Sequence, residues 1–303
     1  IVDWYKRKFS YYDYDGSTYV ELFYISSGTT LETQKEKFNE ALNDFVNNAT
    51  MYSSEYEREK YVNDYIISNC VYDDEAAYNN KTQGNVSTAY GVLVDGKAIC
   101  EGYARAFQLL CNKLGIECVS IAGMTDDVGH EWNCAKIDGN WYQVDVTWND
   151  SQDDFSNYFY FNLTDEQMYS SHRADDLFDE IEPDNYNNDE NLIGNLYVPE
   201  CNSTEYNYYN QTAPILYAFD EENDNTISNA LANSAVNGDN YFNIIVDDSL
   251  DFEDAYSTLV QDGYVVNYIE SANNMLWGEV ELDTSSYAYK NDTLRVITIV
   301  LNY

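Results

Sequence analysis

The sequence predicts an α+β fold, in which helices pack on an antiparallel sheet and a smaller α+β domain follows. Apolar residues at helical spacing recur between residues 38 and 114, and short strand patterns follow near residues 117–123, 130–137 and 141–147. The 31 Tyr, 12 Phe and 5 Trp among 303 residues are enough to bury a core, which argues against a disordered chain.

A β-hairpin is predicted at the start of the chain. Residues 4–12 and 18–25 have strand patterns on either side of an Asp15-Gly16 turn. The acidic residues near this turn also suggest a calcium loop, but Tyr11 stands where the first carboxylate ligand is needed. The simple turn is therefore favoured.

Three amphipathic helices are predicted after the hairpin. The first has its apolar face within residues 38–45, and the second begins at a capping box formed by Ser54 and Glu57. The third covers roughly residues 100–114 and ends at Gly115, the usual residue at a helix C-terminus.

The chain is expected to divide into a hairpin segment (residues 1–30), a core (31–182), a linker (183–200) and a C-terminal domain (201–303). All three prolines lie in or shortly after the predicted linker, which is also acidic and aperiodic. The C-terminal domain shows no motif for chemistry and is interpreted as a binding or spacer module. Its predicted elements are helices at 226–236 and 251–262 and strands at 241–247, 264–269, 276–282 and 293–301.

The net charge of −39 excludes some classes of partner. With 15 Lys and Arg against 54 Asp and Glu, the chain would be repelled by nucleic acids and by anionic membranes. Residues 1–146 carry a net charge of −11, whereas residues 147–303 carry −28. The acidity therefore belongs mainly to the second half of the chain.

Composition also suggests a location. Extreme acidity with abundant Asn, Ser, Thr and Tyr is typical of exported proteins, so an extracellular or cell-surface location is expected, with a leader removed before Ile1. No apolar run approaches the ~20 residues that a transmembrane helix requires.

The six cysteines show no CxxC pair, and His130 and His172 are the only histidines, which argues against a zinc site. Neither a metal nor a cofactor is expected. An even number of cysteines permits three disulfides, but five cannot all pair if one remains a free nucleophile.

Cys100 stands at the predicted start of the third helix. The peptide dipoles at a helix N-terminus stabilise a thiolate, which is the nucleophilic form of cysteine. Taken alone, such a cysteine is more often buried than catalytic. Cys70, Cys111, Cys118 and Cys134 lie within apolar elements and are interpreted as inert core thiols.

His130 and Asp145 are predicted to meet on a β-hairpin. Residues 138–139 are Asp-Gly, typical of a type I′ turn that would pair Ile137 with Asn140 and bring His130 close to Asp145 on one face. The carboxylate would fix the tautomer and tilt of the imidazole, and the imidazole would exchange a proton with a thiol.

The combination of these residues favours catalysis, although each one alone has a structural interpretation. A chain with two histidines places one of them beside an aspartate and supplies a cysteine at a helix start. His172 is interpreted as structural, because no cysteine is near it in sequence and no strand pattern surrounds it.

Three motifs, in order, resemble those of the transglutaminase-like superfamily, and the resemblance covers roughly residues 55–172. They are the run of residues 90–107 around Cys100, His130-Glu-Trp-Asn133, and Trp141-Tyr-Gln-Val-Asp145-Val-Thr-Trp148, with Val71-Tyr72-Asp73 upstream and a tail at 161–172 similar to that of bacterial members.

The resemblance implies a papain-like fold with Cys100 as nucleophile, His130 as base and acid, and Asp145 as the residue that orients His130. Attack on a carboxamide would give a tetrahedral oxyanion, held by the Cys100 N–H and one side-chain donor. Tyr90 and Gln83 are the candidates for this donor.

Two tryptophans are further candidates for the cleft. Trp132 and Trp148 would wall an acyl tunnel, or they would serve as core aromatics that hold the hairpin. Animal members of the superfamily add calcium sites, but a solvated acidic surface is the favoured interpretation of the acidic second half.

The leading hypothesis is an enzyme that transfers the acyl group of a protein or peptide amide, including cell-wall peptide, through a thioester. The reaction would be transglutaminase-like or peptidase-like, and the sequence leaves the acceptor open between an amine and water. The alternative is a non-catalytic cell-surface binding or adhesion protein that uses the core as a scaffold.

Overall fold

The computed structural model describes residues 5–24, 26–79, 84–151, 154–174, 198–278 and 280–303. The chain forms two compact units, one from Ile1–Gln152 with Leu163–Ser203 and the other from Asp153–Asn162 with Thr204–Tyr303. Each unit packs helices against a β-sheet, so the predicted α+β class is confirmed.

The first unit has six α-helices among its described residues, of which the first two are the longest. They are α1 (Gly28–Ala49), α2 (Glu55–Asn69), α3 (Asp74–Tyr78), α4 (Cys100–Lys113), α5 (Val146–Asn149) and α6 (Asp165–Met168). The capping box predicted at the start of α2 is confirmed, since the Ser54 side chain accepts a hydrogen bond from the Glu57 N–H.

The strands of the first unit form a terminal hairpin, a short parallel pair and a four-stranded antiparallel sheet. They are β1 (Tyr5–Tyr14), β2 (Ser17–Tyr24), β3 (Val71–Tyr72), β4 (Lys97–Ala98), β5 (Glu117–Thr125), β6 (Val128–Ile137), β7 (Asn140–Val144) and β8 (Arg173–Ala174). The order in the four-stranded sheet is β7-β6-β5-β8.

Helix α4 packs on this sheet and carries much of the core. Phe107 and Leu110 are fully buried, and the side-chain amide of Asn133 on β6 donates to the Ala104 carbonyl of α4 at 3.0 Å. Burial of apolar side chains is the main contribution to the free energy that holds a helix on a sheet. The packing fixes the start of α4 relative to strand β6.

The second unit contains a mixed sheet of order β11-β12-β10-β9, with β9 parallel to β10. Its elements are α7 (Tyr208–Thr212), β9 (Ile215–Leu216), α8 (Glu221–Asn237), β10 (Tyr241–Val246), α9 (Phe252–Tyr256), α10 (Val265–Leu276), β11 (Ala288–Asn291) and β12 (Val296–Val300). In the acidic part of this unit, the Asp220 side chain caps α8 by accepting from the Asn223 N–H at 2.9 Å.

Two strand predictions in this unit are wrong. Residues 264–269 belong to α10, because apolar side chains recur there at intervals of three and four and bury one face of a helix. The β-branched Val265 and Val266 suggested a strand, but tertiary packing overrides this weak preference. The strand predicted at 276–282 is also not formed in its described part, since α10 ends at Leu276 and Trp277 takes a left-handed φ of 54°.

The predicted domain boundary remains a prediction, because most of the linker at 183–200 lies outside the described residues. Residues 154–162 were expected in the core, yet they group with the second unit. Stacked aromatic rings explain this grouping: Tyr158 lies 3.8 Å from Tyr208 and Phe155 lies 4.1 Å from Tyr289 between ring centroids. Among the described helices, none is both long enough and apolar enough to cross a membrane.

Two cysteines of the first unit lie close together in its core. The Cys134 and Cys201 Sγ atoms are 3.8 Å apart, and both residues are fully buried. Asp165 holds Cys201 in place, because its carboxylate accepts from the Cys201 N–H and its N–H donates to the Cys201 carbonyl. A small rotation about the side-chain bonds would bring the two sulfurs to bonding distance.

We therefore expect oxidised glutathione to link Cys134 to Cys201, with two electrons and two protons passing from the thiols to the oxidant. Closing a loop of about 65 residues would stabilise the protein by about 4 kcal/mol in the chain-entropy account. Peptide mapping after alkylation would identify the linked pair, and Cys134→Ser should abolish it, whereas Cys70→Ser should not. Recovery of Cys134 and Cys201 as alkylated thiols from the oxidised, folded protein would contradict the prediction.

Candidate active site

Cys100 is the first residue of α4, as predicted. Ile99 before it is extended, so the chain turns from strand β4 directly into the helix. Gly102 permits this turn, because a Cβ there would lie 2.5 Å from the Val86 carbonyl oxygen and 2.8 Å from the Ala98 Cβ. The Cys100 side chain is partly exposed at the N-terminal end of the helix.

His130 and Asp145 meet as the hairpin register predicts. Ile137 pairs with Asn140 across a turn whose two residues both have positive φ, as a type I′ turn requires. The His130 Nε2 atom lies 2.7 Å from the Asp145 Oδ2 atom. Asp145 follows the last residue of β7 and caps α5, so its backbone is fixed by both elements.

The His130 ring also hydrogen-bonds the Cys100 side chain. Since Nε2 is occupied by Asp145, Nδ1 is the nitrogen that remains for the thiol. The structure therefore brings Cys100, His130 and Asp145 together in one chain of hydrogen bonds. A proton can pass between the sulfur and Nδ1 while the carboxylate holds the other side of the ring.

Charge interactions at this site shift two pKa values in opposite directions. Burial lowers the pKa of His130, but the charge and hydrogen bond of Asp145, with a smaller contribution from Cys100, raise it to about 10. Burial raises the pKa of Asp145, but His130 and His172 lower it to about 2. An imidazolium beside a carboxylate is thus the favoured state at neutral pH.

The site opens into a cleft of about 710 Å³. His130, Tyr72 and Trp148 line it, and the Trp148 ring centroid lies 5.9 Å from that of His130. Three carboxylate residues, Asp74, Asp126 and Asp150, are part of the same lining. The cleft therefore has aromatic walls next to the imidazole and an acidic character around them.

The two predicted tryptophans have different places. Trp148 lines the cleft, whereas Trp132 is 1% exposed and donates its Nε1–H to the Gln143 side chain at 2.7 Å. Trp132 is therefore a core aromatic. Its six-membered ring lies directly over Gly123, where a Cβ would approach it to 2.5 Å.

Of the two predicted oxyanion donors, Tyr90 lies away from the cleft and Gln83 stays a prediction. Tyr90 is buried against Phe38 of α1, with the ring centroids 6.2 Å apart, and it does not belong to the cleft lining. Asp95 is the charged group that raises its pKa after burial, which places its hydroxyl near that carboxylate. Gln83 lies outside the described residues.

Tyr72 lines the cleft and lies beside the backbone of Cys100. Strand β3 pairs Tyr72 with Ala98, two residues before Cys100, and the Tyr72 hydroxyl accepts a hydrogen bond from the Cys100 backbone N–H. Burial and the nearby Cys100, Asp74 and Asp145 charges raise its pKa to about 12, so the hydroxyl keeps its proton at neutral pH. The only sequence signal for this residue was the Val71-Tyr72-Asp73 motif.

His172 is also part of the site, which its interpretation as structural did not anticipate. Its Nε2 atom lies 3.0 Å from the Asp145 Oδ2 atom, and its side chain is fully buried. The residue directly precedes β8, whose pairing with β5 carries it to the sheet that holds His130. The tail motif around residues 161–172 was the signal that could have indicated it.

His130, Asp145 and His172 also form a group whose ligand atoms lie within 4.8 Å of one another, as a metal site would require. However, both imidazoles aim at the same carboxylate oxygen, at 2.7 and 3.0 Å. These are hydrogen-bond distances between the ligand atoms themselves. The arrangement is therefore a hydrogen-bonded cluster, and no metal step is derived from it.

Comparisons with known proteins agree with this geometry. Residues 43–146 match the model of the Transglutaminase-like superfamily. The Kyphoscoliosis peptidase of Mus musculus is 29% identical over 175 residues, which are 54% of this chain and 26% of the relative. That of Homo sapiens is 27% identical over 167 residues, which are 51% of this chain and 24% of the relative.

A solved structure of a TGase has a TM-score of 0.35 and 19% identity, over 48% of this chain and 45% of that chain. The chain spans about a quarter of the length of the two curated relatives. The resemblance inferred from the three motifs is confirmed by the family match.

The shifted pKa values predict a pH window for the stability that the His130–Asp145 pair contributes. The pKa of His130 is raised from 6.5 to about 10, so its contribution is complete below pH 6.5 and is lost as the pH rises through about 10. The pKa of Asp145 is lowered from 3.8 to about 2, so its contribution is present above pH 3.8 and is lost as the pH falls through about 2.

We expect His130→Gln to reduce the free energy of unfolding most between about pH 4 and 6.5, and less at each step toward pH 10. Urea unfolding of both proteins across this range measures the difference. Lys136→Gln, which removes an exposed ion pair with Glu117 on the same sheet, is the control and should show no such window. A His130→Gln effect of constant size between pH 6.5 and 10 would be evidence against the pair.

Proposed function

Residues 43–146 belong to the transglutaminase-like superfamily, and we propose that the protein cleaves or transfers the acyl group of protein or peptide amides through a Cys100 thioester. The observation that carries this proposal is the hydrogen-bonded order Cys100–His130–Asp145 beside a cleft lined by His130. A scaffold has no need of a thiol, an imidazole and a carboxylate in this order.

In the first half of the reaction, the Cys100 thiolate attacks the carbonyl carbon of the amide, and a tetrahedral oxyanion forms. The C–N bond then breaks, and the His130 Nδ1–H gives its proton to the leaving nitrogen. The products are an amine and a Cys100 thioester. Asp145 keeps the imidazole in the tautomer that presents Nδ1 to the sulfur.

The oxyanion would be held by Tyr72 and the Cys100 backbone. An acyl oxygen at the Cys100 N–H takes the place of the Tyr72 hydroxyl oxygen, and the Tyr72 O–H is then available to donate to it. Both donors lie close together, since β3 and β4 pair immediately before α4 begins. Once the Tyr72 oxygen is displaced, the two donors would stabilise the developing charge.

Water is the acceptor that the cleft favours in the second half. Thr125, Thr147 and Ser151 line the cleft together with His130 and carboxylates, so water can reach the imidazole through a polar surface. His130 Nδ1 takes a proton from this water, the hydroxide oxygen attacks the thioester carbon, and the Cys100 thiolate leaves. Two relatives bear the name peptidase, which is consistent with hydrolysis.

The lining also suggests the substrate class. Asp74, Asp126 and Asp150 surround the cleft with negative charge, and Lys and Arg are not among its lining residues. A substrate segment rich in lysine or arginine would be attracted to this surface, and an acidic segment would be repelled. Cell-wall peptide and an extracellular location stay predictions from composition.

A test of the reaction compares wild type with Cys100→Ser on quenched fluorescent peptides, with and without lysine, and on a glutamine protein with a fluorescent amine. We expect hydrolysis of the lysine-containing peptides that Cys100→Ser abolishes. Cys70→Ser is the matched control. Cys70 lines the same cleft, but His130 is not among the groups that interact with its thiol. If no substrate is turned over and Cys100 is alkylated no faster than the other thiols, the non-catalytic alternative is favoured.

The role of Tyr72 has its own variant. Tyr72→Phe removes the hydroxyl that would donate to the oxyanion, so kcat should fall about 100-fold while KM changes little. Tyr90→Phe removes a hydroxyl from a buried ring outside the cleft and should leave kcat near that of wild type. Equal kcat values for the two variants would rule out the Tyr72 assignment.

A further inference from the structure

The Asp145 carboxylate makes four hydrogen bonds, of which His172 supplies one. Its Oδ1 atom accepts from the backbone N–H groups of Thr147 and Trp148, at 2.9 and 3.2 Å. Its Oδ2 atom accepts from both imidazoles, and the His172 side chain is as fully buried as that of Asp145. Cys100, His130 and Asp145 alone therefore do not complete the hydrogen bonding of this carboxylate, because the bond from His172 comes from outside that set.

The tautomer of His172 follows from its neighbours. Asp145 is a carboxylate and can only accept, so the His172 Nε2 atom must carry a hydrogen. Its Nδ1 atom lies 2.9 Å from the Ser171 hydroxyl oxygen, which can donate to it. The hydrogen on Nε2 is therefore set by the contact with Asp145.

The position of the His172 ring is fixed by packing. Its centroid lies 4.6 Å from the Trp148 ring and 5.1 Å from the Trp132 ring, and its backbone N–H donates to the Met168 carbonyl. Strand β8 begins at the next residue. The Nε2–H is therefore aimed at Asp145 by contacts with Trp132 of β6, Trp148 of α5 and the Met168 carbonyl.

We propose that His172 is a positioning residue for the reaction, whose Nε2–H holds the Asp145 carboxylate and shares the oxygen that binds His130. This inference rests on the proposed function. Because two donors share Oδ2, the carboxylate stabilises the His130 imidazolium less strongly than an unshared carboxylate would. His130 can then release its Nδ1 proton to the leaving nitrogen more readily.

Other charged and titratable groups act on the His130 ring. Cys100 on α4 hydrogen-bonds it, Tyr72 on β3 contacts the Cys100 backbone, and Asp74, Asp126 and Asp150 line the cleft around it. All of them are unchanged by a substitution at His172. A pH shift in such a variant therefore reports the lost bond to Asp145.

The experiment compares His172→Gln, whose amide N–H can still donate to Asp145, with His172→Phe, which keeps a ring but donates nothing. For His172→Phe we expect a kcat about tenfold or more below wild type with KM nearly unchanged, and an alkaline limb of the pH profile displaced to higher pH. His172→Gln should restore most of kcat and the wild-type limb. Met168→Ala, a buried change in the preceding helix, is the control for general loss of packing.

A second readout does not depend on the substrate. The rate of Cys100 alkylation by iodoacetamide, followed by mass spectrometry from pH 4 to 10, reports the thiolate–imidazolium pair directly. Its upper inflection should move to higher pH in His172→Phe but not in His172→Gln or Met168→Ala. If wild type turns over no substrate but the alkylation shift is present, only the proposed function is contradicted. If the alkylation profiles of His172→Phe and His172→Gln are identical, the positioning role of His172 is contradicted.

Discussion

The Asp145 carboxylate is the point on which the candidate site depends. It is fully buried, and a buried carboxylate is costly unless it is paired and hydrogen-bonded. Its two oxygens use two backbone N–H groups of α5 and the two imidazoles. Strand β6, helix α5 and the segment before β8 must therefore all be in place before this charge is tolerated.

Much of this arrangement follows from local signals in the sequence. The Asp-Gly pair at 138–139 specifies a two-residue turn, the turn specifies the register of β6 and β7, and the register places His130 near Asp145. The start of α4 at Cys100 is equally local, since Gly102 and the apolar periodicity after it mark a helix that packs closely at its first turn. Short-range rules suffice because each of these choices involves residues close in sequence.

The remaining parts of the site depend on contacts between distant segments. Tyr72 lies on a strand of two residues and His172 follows a helix of four, and neither is long enough to show a periodicity. Tyr90 is near Cys100 in sequence, but its ring packs on α1 and not at the cleft. Nearness in sequence therefore predicted a site residue wrongly here. In α10, the β-branched residues suggested a strand, and only the burial of one face decides for a helix.

The charges around His130 also change as the proposed reaction proceeds. In the free enzyme, Asp145 and Cys100 both raise the pKa of His130, so the imidazolium holds its proton firmly. Attack on the substrate moves the negative charge from the sulfur to the oxyanion, which the Tyr72 hydroxyl and the Cys100 N–H would take up. The Cys100 charge then no longer raises the pKa of His130, and the imidazolium becomes a stronger acid at the step in which the leaving nitrogen needs a proton. A carboxylate shared between two imidazoles acts in the same direction, because it keeps Asp145 from stabilising the His130 imidazolium too strongly.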